Sequence, residues 1–224
     1  MKTYWEIPGP SKMPQSACIA FDKLDGSNLR FEWNRKRGWN KFGTRRRLMD
    51  ETDPEYGSAI QLFQETLAEG IEKVLKDEKE YRGVERVTAF AEFYGPSSFA
   101  GWHDWTEPKQ LTLFDISIHK KGFVLPRDFV NHFGHLDTPA VIYEGNFNTQ
   151  FIKDVRDGKY PVSLEGVVCK GVIEGKKKSA QHGLWMTKVK THQWLDSLRE
   201  RARTDEVFRE QLRSNEKEQQ FDES

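Results

Sequence analysis

Lys23 lies in the string Phe21-Asp22-Lys23-Leu24-Asp25-Gly26-Ser27-Asn28, where an apolar run breaks into a polar turn. A lysine held in such a turn can act as a covalent nucleophile. Its amine attacks only when neutral, so a reference pKa of about 10.4 must fall by a few units. Partial burial and neighbouring cations penalise the ammonium and would lower it. Gly26 permits a tight turn and the close approach of a bulky ligand. Lys-x-Asp-Gly also fits an ordinary polar turn, so this string decides nothing by itself.

Four further segments carry matching chemistry. Strand alternation puts Phe90, Glu92 and Tyr94 on one face and Ala89, Ala91 and Phe93 on the other. A carboxylate between aromatics needs a partner: a hydroxyl, a cation or metal-bound water, or a nearby arginine in a purely structural pair. Phe114, in Leu111-Thr112-Leu113-Phe114-Asp115-Ile116, either packs in a core or stacks on a flat base. Glu165, before Gly166 in Leu164-Glu165-Gly166-Val167-Val168-Cys169-Lys170, suits magnesium beside phosphates. In a regular strand over 164–170, Glu165 and Lys170 have opposite parity. A bulge must intervene, or one of them lies outside the site, and Glu165 is the better candidate. Lys188 and Lys190 share a strand face, which suits clamping a phosphate chain. Their charge would also depress the pKa of Lys23. Lysines on an edge strand serve equally to block aggregation.

The elements that must position these groups follow from periodicity. Ala17–Phe21 and Leu29–Trp33 read as a hairpin around the turn Lys23–Asn28, and Asn34–Gly38 turns into a third strand, Trp39–Thr44. Ile60, Phe63, Leu67, Ile71, Val74 and Leu75 recur at helical spacing over 57–79. Strands resume at 86–94, 110–119, 140–143, 164–170 and 184–190. Lys121–Gly134 reads as a short hairpin leading into a helix that starts at Pro126. Trp194, Leu195, Leu198, Val207, Phe208 and Leu212 restore a helical pattern, and the tail from Ser214 is polar. The class is α+β.

The 224 residues suit one large domain or a domain with an appendage. Despite 31% charged residues, 15 Phe and 7 Trp supply bulk for a core. Lys plus Arg and Asp plus Glu each total 35, so no global charge points to nucleic acid. Lys41, Arg45, Arg46 and Arg47 cluster early, and Lys170, Lys176, Lys177, Lys178, Lys188 and Lys190 late; either run alone fits a solvated face. Cys18 and Cys169 make no disulfide framework, and with His132 and His135 they lack a zinc-site core. No signal peptide or apolar run of roughly 20 residues is visible. A reducing, cytoplasmic setting without a membrane partner follows, in a cell or a virus-infected host.

Taken in order, the segments resemble the covalent nucleotidyltransferase superfamily of ATP-dependent RNA ligases, DNA ligases and mRNA capping enzymes. Lys23-x-Asp25-Gly26 resembles motif I, Ala91-Glu92-Phe93-Tyr94-Gly95 motif III and Leu113-Phe114-Asp115-Ile116 motif IIIa. Glu165-Gly166-Val167-Val168-Cys169-Lys170 resembles motif IV, and Lys188-Val189-Lys190 motif V. The match covers residues 17–191. Gly26-Ser27-Asn28 is similar to the motif ending of the RNA ligase 2 type, where DNA ligases usually carry arginine. Asp25 departs from that type, which often has histidine, and follows the wider superfamily. Val141–Phe147 resembles the strand and turn before motif IV in phage-type ligases.

The resemblance implies a nucleotidyltransferase (adenylylation) domain over 1–191, with antiparallel sheets flanked by helices and no OB-fold. A short helical extension with a polar tail occupies 192–224. It further implies ATP, Mg2+ or Mn2+, and a lysyl–AMP formed on Lys23. AMP then passes to a 5′-phosphate, and a 3′-hydroxyl displaces it to seal RNA, an RNA/DNA hybrid or a nicked duplex. Phe114 would stack on adenine and Glu92 would bind the ribose. Lys188 and Lys190 would neutralise phosphate charge, and Glu165 with Asp25 would hold the metal. Arg45 matches the arginine that follows motif I, and Asp22, Leu24 and Asn28 complete the expected nucleotide contacts. Many relatives close a C-terminal domain over the substrate; here either the core binds alone or a partner protein supplies the clamp. A minimal DNA ligase is the alternative reading. A capping guanylyltransferase would need further motifs, and a non-catalytic binding module has no use for a buried nucleophile. Trp102-His103-Asp104-Trp105 reads as a surface loop near the third motif, either structural or in contact with substrate.

Overall fold

β1 (Ala17–Asp22) and β2 (Ser27–Asn34) follow one another but do not pair. The hairpin expected over 17–33 is therefore a crossing between two sheets. A strand has two edges, and both edges of β1 are occupied, by β8 (Val141–Asn146) and β9 (Gly166–Val172). With β10 (Leu184–Lys190) these make a four-stranded sheet of order β10-β9-β1-β8. The computed structural model describes residues 1–11, 13–173 and 183–210. Lys176, Lys177, Lys178, Leu212 and the tail from Ser214 lie outside them.

β2 belongs to a six-stranded sheet with β3 (Gly38–Thr44), β4 (Leu48–Met49), β5 (Arg86–Tyr94), β6 (Gln110–Ile118) and β7 (Gly122–Phe123). Its order is β4-β3-β2-β5-β6-β7, and its neighbouring strands pair antiparallel, as do those of the first sheet. The helical stretch expected over 57–79 is α1 (Ser58–Phe63), a π-helical segment Gln64–Ala68 and α2 (Glu69–Asp77). Ile60, Phe63, Leu67 and Ile71 bury against Leu29, Phe31 and Leu113 of the six-stranded sheet. The Phe31 and Phe63 rings stack at 3.9 Å. Burying a side chain of this size contributes about 1.5–3 kcal/mol.

α3 (Pro126–Phe133) begins at the expected proline and buries Phe129 and Phe133 in the same core. α4 (Thr149–Arg156) escaped the sequence reading. Its signals are local: the Asn148 side chain accepts from the Phe151 N–H at 2.9 Å, and Phe151 and Val155 are spaced by one turn. Both pack with Val167, Trp185 and the buried free thiols Cys18 and Cys169. α5 (His192–Thr204), capped by Thr191, follows β10 directly.

The two sheets meet over a small third cluster of Tyr4, Phe90, Phe123, Leu184 and Met186. Tyr4 comes from the segment before β1, which runs beside β10. The Pro8 carbonyl there accepts from the Lys188 N–H and the Thr187 hydroxyl, both at 3.0 Å. Among the described residues, no helix is long and apolar enough to cross a membrane.

Candidate active site

The crossing from β1 to β2 sets Lys23 at the junction of the sheets, beside a cavity of about 550 Å³. Asp22, Lys23, Leu24, Asn28, Arg45, Glu92, Phe114 and Lys188 all line it. The Lys23 N–H donates to the Gly166 carbonyl at 2.9 Å, which ties the turn to the start of β9. Gly26 is required by proximity to β5: a Cβ there would sit 2.4 Å from the Phe93 carbonyl oxygen. Its N–H faces the Glu92 carboxylate.

Glu165 is the hub. Its Oε2 accepts from Lys23 Nζ at 2.7 Å and its Oε1 pairs with Lys190 Nζ at 2.9 Å. Glu165 does not open the strand, because β9 starts at Gly166, whose φ is +138°. That bend dissolves the parity conflict between Glu165 and Lys170. Glu165 turns back toward Lys23, while Val168 and Lys170 face the cavity. A Cβ on Gly166 would meet the Val189 carbonyl at 2.0 Å. Gly166→Ala should therefore cost at least about 1–3 kcal/mol of strain, measurable by denaturant unfolding. A loss within error would show that the bend is soft.

The electrostatics correct one expectation. Burial works to lower the Lys23 pKa, but Glu165, Glu92 and Asp25 outweigh it and hold the amine above its ordinary value. Lys190 acts on Glu165, over the Trp194 ring at 3.7 Å, rather than on the nucleophile. Lys188 is pushed down by burial, then by Lys190 and Lys23, with Glu6 opposing at 4.0 Å. Burial also raises Glu92 to about 7, against the attraction of Lys23.

Phe114 reaches the cavity because of a β-bulge. Phe90 pairs with Asp115 and Ala91 with Leu113, which leaves Phe114 as the extra residue. Leu113 and Ile116 thus stay in the core while Phe114 and Asp115 both leave it. Tyr4 supports the Phe114 ring edge-on at 5.1 Å. Beneath it, Asp115 Oδ2 accepts from Tyr4 Oη at 2.8 Å and from Lys170 Nζ at 2.9 Å. Lys170 also donates to the Phe114 carbonyl at 2.7 Å. Burial pushes Asp115 up, opposed by Lys170.

Asp25, expected beside a metal, has both carboxylate oxygens engaged by donors of the protein. Its Oδ1 accepts from the Ala100 N–H at 2.8 Å and its Oδ2 from Trp194 Nε1 at 2.7 Å. Both oxygens brace the nucleophile turn against the 95–109 loop and α5. Asn28 differs: its buried Oδ1 has no hydrogen-bond partner among the described residues. Such an acceptor is costly unless a ligand satisfies it. Asp22 Oδ1 accepts from the Ser163 N–H and hydroxyl at 3.0 and 3.2 Å, anchoring the approach to Glu165.

A family model described as RNA ligase matches residues 17–190, most of the chain and every motif segment above. The chain belongs to the RNA ligase family. No curated protein matches it. Similar solved structures include an apo mutant of Naegleria gruberi RNA ligase, at 14% identity and TM-score 0.58, covering 82% of this chain and 52% of that one. Another mutant of that ligase, with ATP and Mn, matches at 15% identity and TM-score 0.57, with the same coverage. An archaeal ATP-dependent RNA ligase matches at 16% identity and TM-score 0.55, covering 90% of this chain and 51% of that one. At these identities the likeness is one of fold, and the chain spans about half the length of those structures.

Several neighbours of this site were not singled out in the sequence, and His103, read there as part of a surface loop, is buried. Tyr4, Trp5, Glu6 and Ile7 wall the cavity although they precede every motif. Tyr56 lines it from the turn before α1. Buried His103 lies between hydroxyls, with Nε2 2.8 Å from Ser27 Oγ and Nδ1 2.9 Å from Ser98 Oγ. Burial, then Lys109, lowers its pKa to about 4, so the folded protein holds it neutral. The unfolded chain takes up this proton first as pH falls. The contribution is thus complete above about 6.5 and lost on acidification toward about 4, on the order of 3 kcal/mol. His103→Gln should flatten the fall in stability between pH 6.5 and 4 relative to the parent. Parallel pH curves for the two proteins would refute this.

Proposed function

We propose that the protein is an ATP-dependent RNA ligase with Lys23 as its nucleophile. The observation that carries this reading is the Lys23–Glu165–Lys190 chain of contacts, 2.7 and 2.9 Å, at the edge of a cavity walled by Phe114, Glu92 and Lys188. Lys23, once its ammonium has released a proton, attacks the α-phosphorus of ATP. A nitrogen–phosphorus bond forms, the bond to the bridging oxygen breaks and pyrophosphate leaves. AMP passes from Lys23 to the 5′-phosphate of a polynucleotide, and a 3′-hydroxyl then displaces AMP to form the phosphodiester.

Phe114 supplies a flat face for adenine, and the Glu92 carboxylate accepts from ribose hydroxyls. The unpaired Asn28 Oδ1 supports a nucleotide donor at that end of the cavity. Lys188 and Arg45 offset phosphate charge. A divalent cation, Mg2+ or Mn2+, would be held by Glu165 Oε2 once Lys23 gives up its proton and its 2.7 Å contact there, and would supply positive charge beside the reacting phosphates. Asp25 acts as a brace rather than a ligand.

The family match and the Gly26-Ser27-Asn28 ending favour RNA over DNA ends. Two tests address the two halves of the proposal. Incubation with ATP and magnesium should add the mass of one AMP to the protein. Matched nicked duplexes differing only in ribose or deoxyribose at the 3′-hydroxyl strand should be sealed only with ribose. Absence of the adduct removes the enzyme reading, and equal sealing of all-DNA nicks replaces it with a minimal DNA ligase.

A further inference from the structure

We propose that Trp105 is the stacking platform for a nucleobase of the strand whose end enters the cavity. This deepens the ligase reading and rests on it. Trp105 is 50% exposed and is the one aromatic among the large exposed hydrophobic side chains of the described residues. It stands at the rim of the cavity: its ring lies 5.6 Å edge-to-face from Tyr56, which itself lines the cavity. Lys109 Nζ lies 5.7 Å from the Trp105 ring centre, paired with Glu107 at 3.1 Å, and so fixes the indole rather than offering a free charge. An exposed indole held in place beside the cavity matches the chemistry of a nucleobase, whose flat face stacks on it.

The loop that carries Trp105 is held rather than loose. Asp104 Oδ1 accepts from the Thr106 N–H at 2.9 Å and the Thr106 hydroxyl at 2.7 Å. Lys109 Nζ donates to the Asp104 carbonyl, and the Ser97 N–H donates to the Glu107 carboxylate at 3.0 Å. His103 and Asp25 pin the same loop to the nucleophile turn through Ser27 and Ala100. An indole fixed in this way presents its face to a base with little loss of conformational entropy. Single-stranded ends are read largely through stacking on aromatic rings, and Trp105 stands one ring away from the cavity, against Tyr56.

The test compares Trp105→Ala and Trp105→Phe with the parent in two assays. One is formation of lysyl–AMP from ATP, and the other is sealing of 5′-phosphorylated single-stranded RNA over a range of RNA concentrations. The proposal expects Trp105→Ala to form lysyl–AMP at the parental rate and to raise KM for RNA roughly 5- to 150-fold, the range expected for one lost stack. Trp105→Phe should recover most of that loss. An unchanged KM for RNA in Trp105→Ala would overturn the proposal, as would an equal loss of lysyl–AMP formation, which marks a structural role. A KM defect that Phe does not rescue would also overturn it and point to a protein surface docking there. If the parent forms lysyl–AMP and seals the RNA while Trp105→Ala matches it, the stacking idea fails alone. If the parent does neither, the ligase reading fails and this inference falls with it.

Discussion

Replacing Lys23 with alanine is expected to abolish lysyl–AMP formation completely while leaving the protein folded. Among the described residues the other amines nearby are held elsewhere, Lys170 by Asp115 at 2.9 Å. Lys188 lines the cavity but pairs toward Glu6, and Lys190 is turned back onto Glu165 and Trp194. The structural cost is limited because Glu165 keeps Lys190 as a partner. One lost charge-assisted hydrogen bond costs about 1.5–3 kcal/mol, which a domain of this size should survive. Lys23→Arg separates charge from nucleophilicity: it keeps a cation beside Glu165 and restores stability, but cannot lose its proton at neutral pH. The check is mass spectrometry after incubation with ATP, alongside a thermal melt. An AMP adduct on either variant would remove Lys23 from the mechanism.

The second large effect concerns stability. Asp115 is 1% exposed and Lys170 5% exposed, and Tyr4, from outside both sheets, donates to the same carboxylate oxygen. Asp115→Ala leaves a buried ammonium with the Phe114 carbonyl and the faces of Phe21 and Phe129 but no counter-charge, and it deprives Tyr4 of its carboxylate. Breaking a buried pair from one side typically costs about 3–5 kcal/mol. For a chain of this length that should lower Tm by roughly 6–20 °C. Adding Lys170→Met should recover much of the loss, because an apolar side chain no longer strands a charge. The same double change frees the Phe114 backbone, so ATP affinity should fall even where stability returns. A loss below about 1 kcal/mol in Asp115→Ala would mean that water reaches Lys170.

Both predictions show how unevenly the site was legible. Lys23, Glu92, Phe114, Glu165 and Lys188 could be named from the chain because each sits in a short local pattern whose chemistry is visible residue by residue. Strand parity correctly separated Phe90 from Ala89, Ala91 and Phe93, which went to the core. The strand Arg86–Tyr94 and the helix start at Pro126 also stand where the pattern put them. The donors that reach Asp25, Ala100 and Trp194, were not legible beside the nucleophile because both lie far along the chain. The Lys23 pKa was expected to fall under nearby cations, but three carboxylates surround the amine more effectively.

The sequence by itself determined the α+β class, the order of the motifs and the residue types that meet at the cavity. These depend on periodicity and on local strings, which need no knowledge of distant contacts. The tertiary structure alone decided that β1 and β2 part company, since that depends on which strands occupy the edges of β1. It also decided the bulge that delivers Phe114 and the bend at Gly166 that turns Glu165 onto Lys23. The wall formed by Tyr4 to Ile7, and the buried Tyr4–Asp115–Lys170 contacts, join residues from opposite ends of the chain. A register and a long-range hydrogen bond each need two partners, and either partner read alone carries no sign of the other.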